Sequence, residues 1–249
     1  MNIAVLGAGP AGLIAAHACR SLGHDVAILS KKHPSPVGGA MYLHKPIPNT
    51  PMELGPDGAV LYRRLGLKEY YALKVYGDLM APVSWDSMPA DNEPVDAWDL
   101  VRWYGYLWDM YEDLIQPAVL GPLSPLHLVG EYDYVINAVP LKALFPNWNY
   151  RSVEVYVTPA TGIGQNSIIY DGQPHTPGCR YSCLFGKAWW ESGAPMSPDS
   201  IRITKPVSVA IPSQMQFGEA DWLNVGRFGK WDKNVLLSDV WDEVVNALH

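Results

Sequence analysis

The chain has 249 residues, of which 48% are hydrophobic and 17% are charged, and its formal net charge is -7. This composition is typical of a globular protein and excludes a disordered chain. No apolar run reaches the roughly 18 to 20 residues of a membrane-crossing helix, so we expect no membrane partner. The acidic balance argues against non-specific binding of a polyanion, although it leaves room for a local basic patch.

The number of cysteines and the spacing of possible metal ligands argue against a disulfide-rich protein and against a zinc protein. The three cysteines, Cys19, Cys179 and Cys183, are too few for a disulfide framework. No group of cysteine, histidine and acidic residues has the spacing of a zinc site, so we predict no metal. A reducing compartment, the cytoplasm, is therefore the expected location.

The first 30 residues carry the strongest pattern. Residues 3–6 form a short apolar run, as in a strand buried on both faces. A helix-period segment follows at 13–22, and a second apolar run at 26–29. Three glycines stand between the first run and the helix with the spacing G-x-G-x-x-G: Gly7, Gly9 and Gly12. Strand, glycine turn, helix and strand in this order predict a dinucleotide-binding βαβ unit.

Each glycine has a separate physical task in such a unit. Gly7 permits the tight turn, Gly9 lets a pyrophosphate approach the backbone, and Gly12 lets the helix pack closely on the sheet. The helix start, with Pro10 and Ala11, supplies free N–H groups and a positive dipole end to the phosphates.

The ribose-binding position departs from the usual pattern. An acidic residue is expected at the end of the second strand, but Ser30 and Lys31 stand there. The serine hydroxyl can still bond a ribose. The lysine is either a phosphate contact or a solvated loop charge.

Three motifs together resemble the FAD-dependent superfamily that includes amine oxidases, protoporphyrinogen oxidase and UDP-galactopyranose mutase. They are the glycine fingerprint, the pair Gly38-Gly39 and the run Glu53-Leu-Gly-Pro56. The resemblance implies that FAD is the cofactor and that Gly38, Gly39 and Ala40 lie by its pyrophosphate. It also implies that Gly55 lies near the flavin ring.

The C-terminal part resembles the last strand and helix of the same family. There, a Gly-Arg followed by an aromatic residue lies under the flavin, which assigns Gly226, Arg227 and Trp231 to the cofactor. A helical run follows from Ser238, whose hydroxyl suits an N-cap. The resemblance implies that the start of this helix faces the ribityl and pyrophosphate oxygens.

The expected fold is α/β: a Rossmann-like FAD-binding domain with an interleaved small α+β substrate domain. Residues 1–66, 126–150 and 216–249 are assigned to the first, and residues 67–125 and 151–215 to the second. The spacing of apolar residues predicts helices at 57–65 and 94–120. Short β-rich segments at 153–157, 167–170, 180–185 and 201–203 predict an antiparallel sheet in the substrate domain.

Candidates for catalysis are few. His44 follows the double glycine, and Arg180 and Tyr181 lie on a predicted strand of the substrate sheet. Arg180 either faces substrate or forms a structural ion pair with Glu191. Lys187 and Lys205 are candidates for a lysine near flavin N5, but no motif selects either one.

The resemblance implies an FAD-dependent oxidoreductase of the amine-oxidase type, which oxidises a C–N bond by hydride transfer to flavin N5. The substrate region is short for this family, so we expect an open site. It would take a large substrate, such as an amino-acid-modified thymine in bacteriophage DNA, or be closed by a second copy of the chain or by a partner. The alternatives are a redox-neutral mutase-type flavoenzyme and a non-catalytic nucleotide-binding protein.

Overall fold

A computed structural model describes residues 1–31, 42–83, 85, 88–122, 124–162, 165–210 and 221–249. Gly38, Gly39 and Ala40, which the sequence assigns to the cofactor, lie outside the described residues. Cys19, Cys179 and Cys183 are all buried and free.

A parallel sheet forms the centre of the nucleotide-binding part. Its strands are β1 (Asn2–Leu6), β2 (Asp25–Ser30), β6 (Ile115–Pro117), β7 (Tyr134–Asn137) and β13 (Trp222–Asn224). In the described part of the chain they are ordered β13-β7-β1-β2-β6, and every neighbouring pair is parallel. The strands predicted at 3–6 and 26–29 are thereby confirmed.

Helices cover both faces of this sheet. They are α1 (Pro10–Ser21), α3 (Leu100–Tyr111) and α7 (Val240–Leu248) on one face, and α4 (Ser124–Glu131), α5 (Leu141–Leu144) and α6 (Gly226–Lys230) on the other. Ile3 and Val5 point into the first core, whereas Ala4 and Leu6 point into the second. This double burial explains the unbroken apolar run of β1. Among the described residues, no helix has the length and apolarity needed to cross a membrane.

A second, mostly antiparallel sheet packs beside the first. Its strands are β3 (Tyr42–Leu43), β4 (Gly58–Gly66), β5 (Pro94–Asp99), β8 (Asn149–Ala160), β9 (Ser167–Gly172), β10 (Gly178–Leu184), β11 (Lys187–Ser192) and β12 (Ile201–Ala210). Within the described ranges the order is β12-β8-β11-β10-β9-β4-β5-β3, with β4 and β9 parallel. Helix α2 (Lys68–Tyr76) lies against β9 and β10. The Rossmann-like α/β class with a second sheet is therefore confirmed, as are the four predicted β segments.

The helix predicted at 57–65 is wrong, because this segment is β4. Val60 and Tyr62 are buried and alternate with less buried neighbours, so the apolar period is two rather than 3.6. The strand belongs to the second sheet, although residues 58–66 were expected in the nucleotide-binding domain.

The helix predicted at 94–120 is only partly present. Residues 94–99 form β5, and the helix begins after Asp99, whose carboxylate accepts hydrogen bonds from the backbone N–H groups of Val101 (2.9 Å) and Arg102 (3.4 Å). Residues 115–117 then form β6, which brings part of the expected insertion into the parallel sheet. Pro117 is tolerated because β6 is an edge strand.

The N-cap predicted at Ser238 is also wrong. Residues 237–239 form a 3₁₀ turn, and Asp239 occupies the N-cap position of α7 without a side-chain capping bond. Ser238 itself is buried. The two helix forms continue into one another, so the serine hydroxyl lies one residue too early to cap α7.

Asp57 joins the second sheet to the start of α3. Its carboxylate accepts hydrogen bonds from Asp99 N (2.9 Å) and Trp103 Nε1 (2.6 Å) and forms an ion pair with Arg102. We predict that Asp57→Ala lowers the free energy of unfolding by about 3 kcal/mol, because three donors lose their acceptor. Asp96→Ala, at an exposed site on β5, is the control and should change it by less than about 0.5 kcal/mol. Urea denaturation measures both; equal effects would contradict the assigned role.

Candidate dinucleotide-binding site

The glycine turn has the geometry that its spacing predicts. Gly7 adopts φ = +94°, and its N–H donates to Leu29 O at 2.9 Å. A Cβ on Gly12 would lie 1.7 Å from Gly7 O, so this position must lack a side chain for α1 to pack on the turn. A Cβ on Gly9 would meet no atom of the described residues within 4 Å. Among these residues, the space above Gly9 is therefore open to a ligand.

The start of α1 has the features of an anion-binding helix N-terminus. Gly9 is the N-cap, Pro10 occupies the first turn, no side chain caps the helix, and the first turn holds no acidic residue. The first N–H groups and the positive dipole end therefore face the open space at Gly9. The donors and the space both fit the pyrophosphate of a dinucleotide.

The C-terminal Gly-Arg segment reaches the same place. Val225 N donates to Asn137 O at 2.9 Å, which fixes the segment at the end of β7. Gly226 adopts φ = +68°, and a Cβ there would lie 2.7 Å from the Cβ of Ala11. The start of α6 thus touches the first turn of α1. Both lie at the carboxyl edge of the parallel sheet, beside the switch point between β1 and β7, where open α/β sheets bind ligands.

Ser30 lies at the carboxyl end of β2, at the same edge of the sheet. Its carbonyl accepts a hydrogen bond from Ala118 N at 3.0 Å, and its side chain is half-buried. Lys31 is exposed. The position suits a ribose contact from Ser30, which stays a prediction.

Other residues assigned to the cofactor occupy less open positions. Trp231 is buried, and its indole Nε1 donates to Arg151 O at 3.1 Å, so the ring joins α6 to β8. Gly55 lies in an exposed turn, where its carbonyl accepts from Trp98 Nε1 at 2.9 Å. These contacts account for both residues structurally, and their roles toward a cofactor stay predictions.

The three catalytic candidates are not brought together. Arg180 and Tyr181 are consecutive residues of β10, so their side chains point to opposite faces of the sheet. His44 is exposed, follows the edge strand β3 and lies against Tyr42, with ring centroids 4.6 Å apart. At about 4.8 Å per strand, β3 is roughly 19 Å along the sheet from β10.

A buried ionic cluster occupies the Arg180 face of the second sheet. Glu191 stands directly opposite Arg180 in the β10–β11 pair, and its carboxylate forms ion pairs with both Arg180 and Lys205. The side chain of Glu191 is 4% exposed. The alternative reading of Arg180 as a structural partner of Glu191 is therefore confirmed. The sequence did not reveal β11, which places Glu191 here, because its short Lys-Ala-Trp-Trp-Glu-Ser run lacks a clear alternation.

The charges of this cluster are strongly coupled. Burial raises the pKa of Glu191, but Arg180 and Lys205 outweigh it and lower that pKa to about 2. Burial and the charge of Arg180 lower the pKa of Lys205 to about 8. Partial burial, followed by the charge of Arg180, also lowers the pKa of Arg227, so the α6 arginine lies near the same cluster.

Known proteins resemble the chain in fold. Residues 5–65 match the family model of the NAD(P)-binding Rossmann-like domain. No curated protein sequence matches the chain. HpxO from Klebsiella pneumoniae, complexed with FAD and uric acid, is similar with a TM-score of 0.52 and 13% identity, over 100% of this chain and 79% of the other.

Two further solved structures have the same general fold. The tetrameric form of 2-methyl-3-hydroxypyridine-5-carboxylic acid oxygenase has a TM-score of 0.58 and 12% identity, over 99% of this chain and 80% of the other. The tryptophan 5-halogenase MibH has a TM-score of 0.54 and 11% identity, over 98% of this chain and 66% of the other. At these identities the likeness concerns the fold, a Rossmann-like domain joined to a second sheet.

The open space at Gly9 yields a prediction with its own matched control. The free energy of unfolding of Gly9→Ala should lie within about 1 kcal/mol of the parent's, because the added methyl meets no atom of the described residues. The variant should nevertheless bind a dinucleotide at least about tenfold more weakly. Gly12→Ala should lose about 3 kcal/mol of stability, because its methyl overlaps Gly7 O. Denaturation of cofactor-free protein and calorimetric titration with the dinucleotide separate the two effects. Normal affinity of Gly9→Ala would contradict this site.

The ionic cluster gives a prediction for stability in acid. The pKa of Glu191 is lower in the folded than in the unfolded chain, so its stabilising contribution is present above the unfolded pKa of about 4.5 and is lost as the pH falls toward 2. We expect the unfolding free energy of the parent to fall between pH 4.5 and 2 by on the order of 3 kcal/mol more than that of Glu191→Gln. Urea denaturation across this range tests it, and parallel curves would contradict it.

Proposed function

We propose that this chain is an FAD-dependent oxidoreductase. One observation carries the proposal: the glycine turn at the start of α1 and the Gly226-Arg227 segment of α6 meet at one edge of the parallel sheet, and the described residues leave the space at Gly9 open. When bound, FAD supplies a ring that accepts a hydride, and the protein supplies binding, orientation and electrostatics.

Residues of both chain regions would hold the cofactor. The backbone at Gly9 and Ala11 and the α1 dipole would hold the pyrophosphate. Ser30 would bond the ribose. Arg227, which is exposed beside the second sheet, would lie toward the ring end. The second sheet, with the Arg180 face turned toward Arg227, would form the wall of the substrate site.

For the reaction type, we favour an oxygen-dependent flavoenzyme that acts on a substrate without positive charge. Two proteins of similar fold are an oxygenase and a halogenase by their names. The cations Arg180, Lys205 and Arg227 near the expected ring position would repel a protonated amine.

Oxidation of a C–N bond is the second candidate. The run Glu53-Leu-Gly-Pro56 and the position of Gly226 beside Ala11 favour it, since both belong to the amine-oxidase resemblance. An amino-acid-modified thymine in bacteriophage DNA remains the proposed large substrate for that reaction. Closure of the site by a second copy of the chain is proposed with either candidate.

The experiment starts from the visible absorption spectrum of the purified protein and the mass of the cofactor released from it. We expect a flavin spectrum and the mass of FAD. Under anaerobic conditions, the flavin is then mixed separately with NADH, NADPH and a panel of primary and secondary amines, and bleaching is recorded. Bleaching by a pyridine nucleotide supports the oxygen-dependent candidate, whereas bleaching by an amine alone supports C–N oxidation.

Two outcomes would overturn the proposal. A colourless protein that also fails to bind added FAD would leave only a nucleotide-binding role. A tightly held flavin that turns over a substrate only after prior reduction, with no net electron transfer, would indicate the mutase-type alternative.

A further inference from the structure

We infer that the outward face of α2 and the turn that follows this helix form an antiparallel interface between two copies of the chain. This surface, the α2 patch, consists of the exposed apolar residues between positions 67 and 80: Leu67, Tyr70, Leu73, Gly77, Leu79 and Met80. The interface does not depend on the proposed flavin chemistry. The closure of the site that follows from it does rest on that proposal.

Helix α2 carries a charged side chain inward and apolar side chains outward. Lys74 is largely buried, and its Nζ donates to Asp171 Oδ1 at 3.3 Å, below the helix. Tyr70 and Leu73 are exposed on the side that faces away from the second sheet. At 3.6 residues per turn, these two residues and Gly77 follow one stripe along the helix. A surface helix normally turns its polar residues to solvent, so this stripe lacks the cover that an apolar face requires.

The area of the α2 patch suits a weak dimer. Its five large side chains have exposures of 57%, 37%, 41%, 46% and 84% in chain order. At roughly 200 Å² for a fully exposed side chain of this size, they expose about 500 Å² per copy. Two such surfaces together bury about 1,000 Å², the lower limit for a specific interface between proteins. We therefore expect a dimer whose population rises with protein concentration.

Gly77 makes the α2 patch complementary to itself. This residue ends α2 with φ = +71°, and a Cβ on it would meet no atom of the described residues within 4 Å. It therefore leaves a gap in the outward face. With a twofold axis near Leu73, the ring of Tyr70 lies over the gap at Gly77 of the second copy. Each copy then presents the same ring and the same gap, as an isologous interface requires.

The charges around the α2 patch favour a second copy over an anionic partner. The chain has a net charge of -7, but between residues 66 and 80 Lys68 and Lys74 balance Glu69 and Asp78, so two copies do not repel each other here. Lys68 lies at the start of α2 and Asp78 just past its end. The antiparallel arrangement therefore directs each Lys68 toward Asp78 of the second copy. An anionic membrane or a nucleic acid would instead require a cluster of exposed cations beside the apolar stripe.

The α2 patch adjoins a cavity of about 500 Å³. One wall of the cavity includes Tyr76, Asp78 and Pro82, and the other includes residues 207–209 and 230–234, which follow the start of α6. Lys233 Nζ donates to Pro82 O at 2.7 Å and lies 4.9 Å from the centre of the Tyr76 ring, so it joins the two walls. Because Asp78 lines the cavity and also borders the α2 patch, a second copy bound there would cover part of the cavity opening. The proposed closure of the site by a second copy is thereby assigned to this surface.

Analytical ultracentrifugation of the full chain over a wide range of concentration tests the interface. We expect the parent to pass from monomer to dimer as its concentration rises. Leu73→Glu should weaken dimerisation at least about tenfold, because it places two like charges near the twofold axis. Leu54→Glu is the matched control, since it changes a leucine that is 91% exposed outside the α2 patch, and it should leave dimerisation unchanged. A parent that stays monomeric, or equal effects of the two variants, would overturn the inference.

Exchange of two charges tests the antiparallel arrangement. Lys68→Glu and Asp78→Lys should each weaken the dimer, and the double variant should form a tighter dimer than Asp78→Lys alone, because the pair is restored with reversed sign. The hydrogen bond from Met80 N to Asp78 Oδ1 (2.9 Å) is lost in both of the compared variants, so it does not affect the comparison. A double variant that dimerises no better than Asp78→Lys would overturn the antiparallel arrangement.

Measurements on cofactor-free and FAD-loaded protein separate this inference from the proposed function. FAD-loaded protein that stays monomeric would overturn the inference and leave the flavoenzyme proposal intact. Protein that cannot bind FAD but forms a dimer sensitive to Leu73→Glu would support the inference and overturn the flavoenzyme proposal. A monomeric parent that floats with phosphatidylcholine vesicles, and loses this binding in Leu73→Glu, would overturn the inference in favour of a lipid surface.

Discussion

The contact between Gly226 and Ala11 is the constraint on which the arrangement of the site depends. It holds the start of α6 against the first turn of α1, at a separation that a side chain on residue 226 would prevent. Residues more than 200 positions apart in the chain thereby share one edge of the parallel sheet. The hydrogen bond from Val225 N to Asn137 O sets the same segment at the end of β7, so three parts of the chain converge on the open space at Gly9.

The second sheet is positioned by polar contacts as well as by apolar packing. Asp57, just before β4, binds the backbone and side chains at the start of α3, and α3 packs against α1. Trp231 joins α6 to β8 from the other side through its hydrogen bond to Arg151 O. The two sheets are thus joined at both ends of the region where the cofactor and substrate are proposed to meet.

Positively charged side chains dominate the Arg180 face of the second sheet. Glu191 is shared between two buried cations, and a third, Arg227, approaches from α6. Among the described residues, the one carboxylate of Glu191 therefore serves the two buried cations, and both of its oxygens are used by them. The acidic overall charge of -7 gives no indication of this local excess, because net charge averages over the whole surface.

The sequence by itself determined the βαβ unit at residues 2–30 and the roles of Gly7, Gly9 and Gly12, because these depend on local sterics and short-range periodicity. It also determined four of the eight strands described in the second sheet. It misassigned 57–65 and 94–99 as helix, because short apolar segments take their period from the surface that they meet. Only the tertiary structure decided that Arg180 and Tyr181 point to opposite faces and that His44 lies on a distant edge strand. It decided between the two readings of Arg180 by pairing it with Glu191. It alone brought Lys205 and Arg227 near them, because strand pairing and domain packing, not spacing in the chain, set which side chains meet.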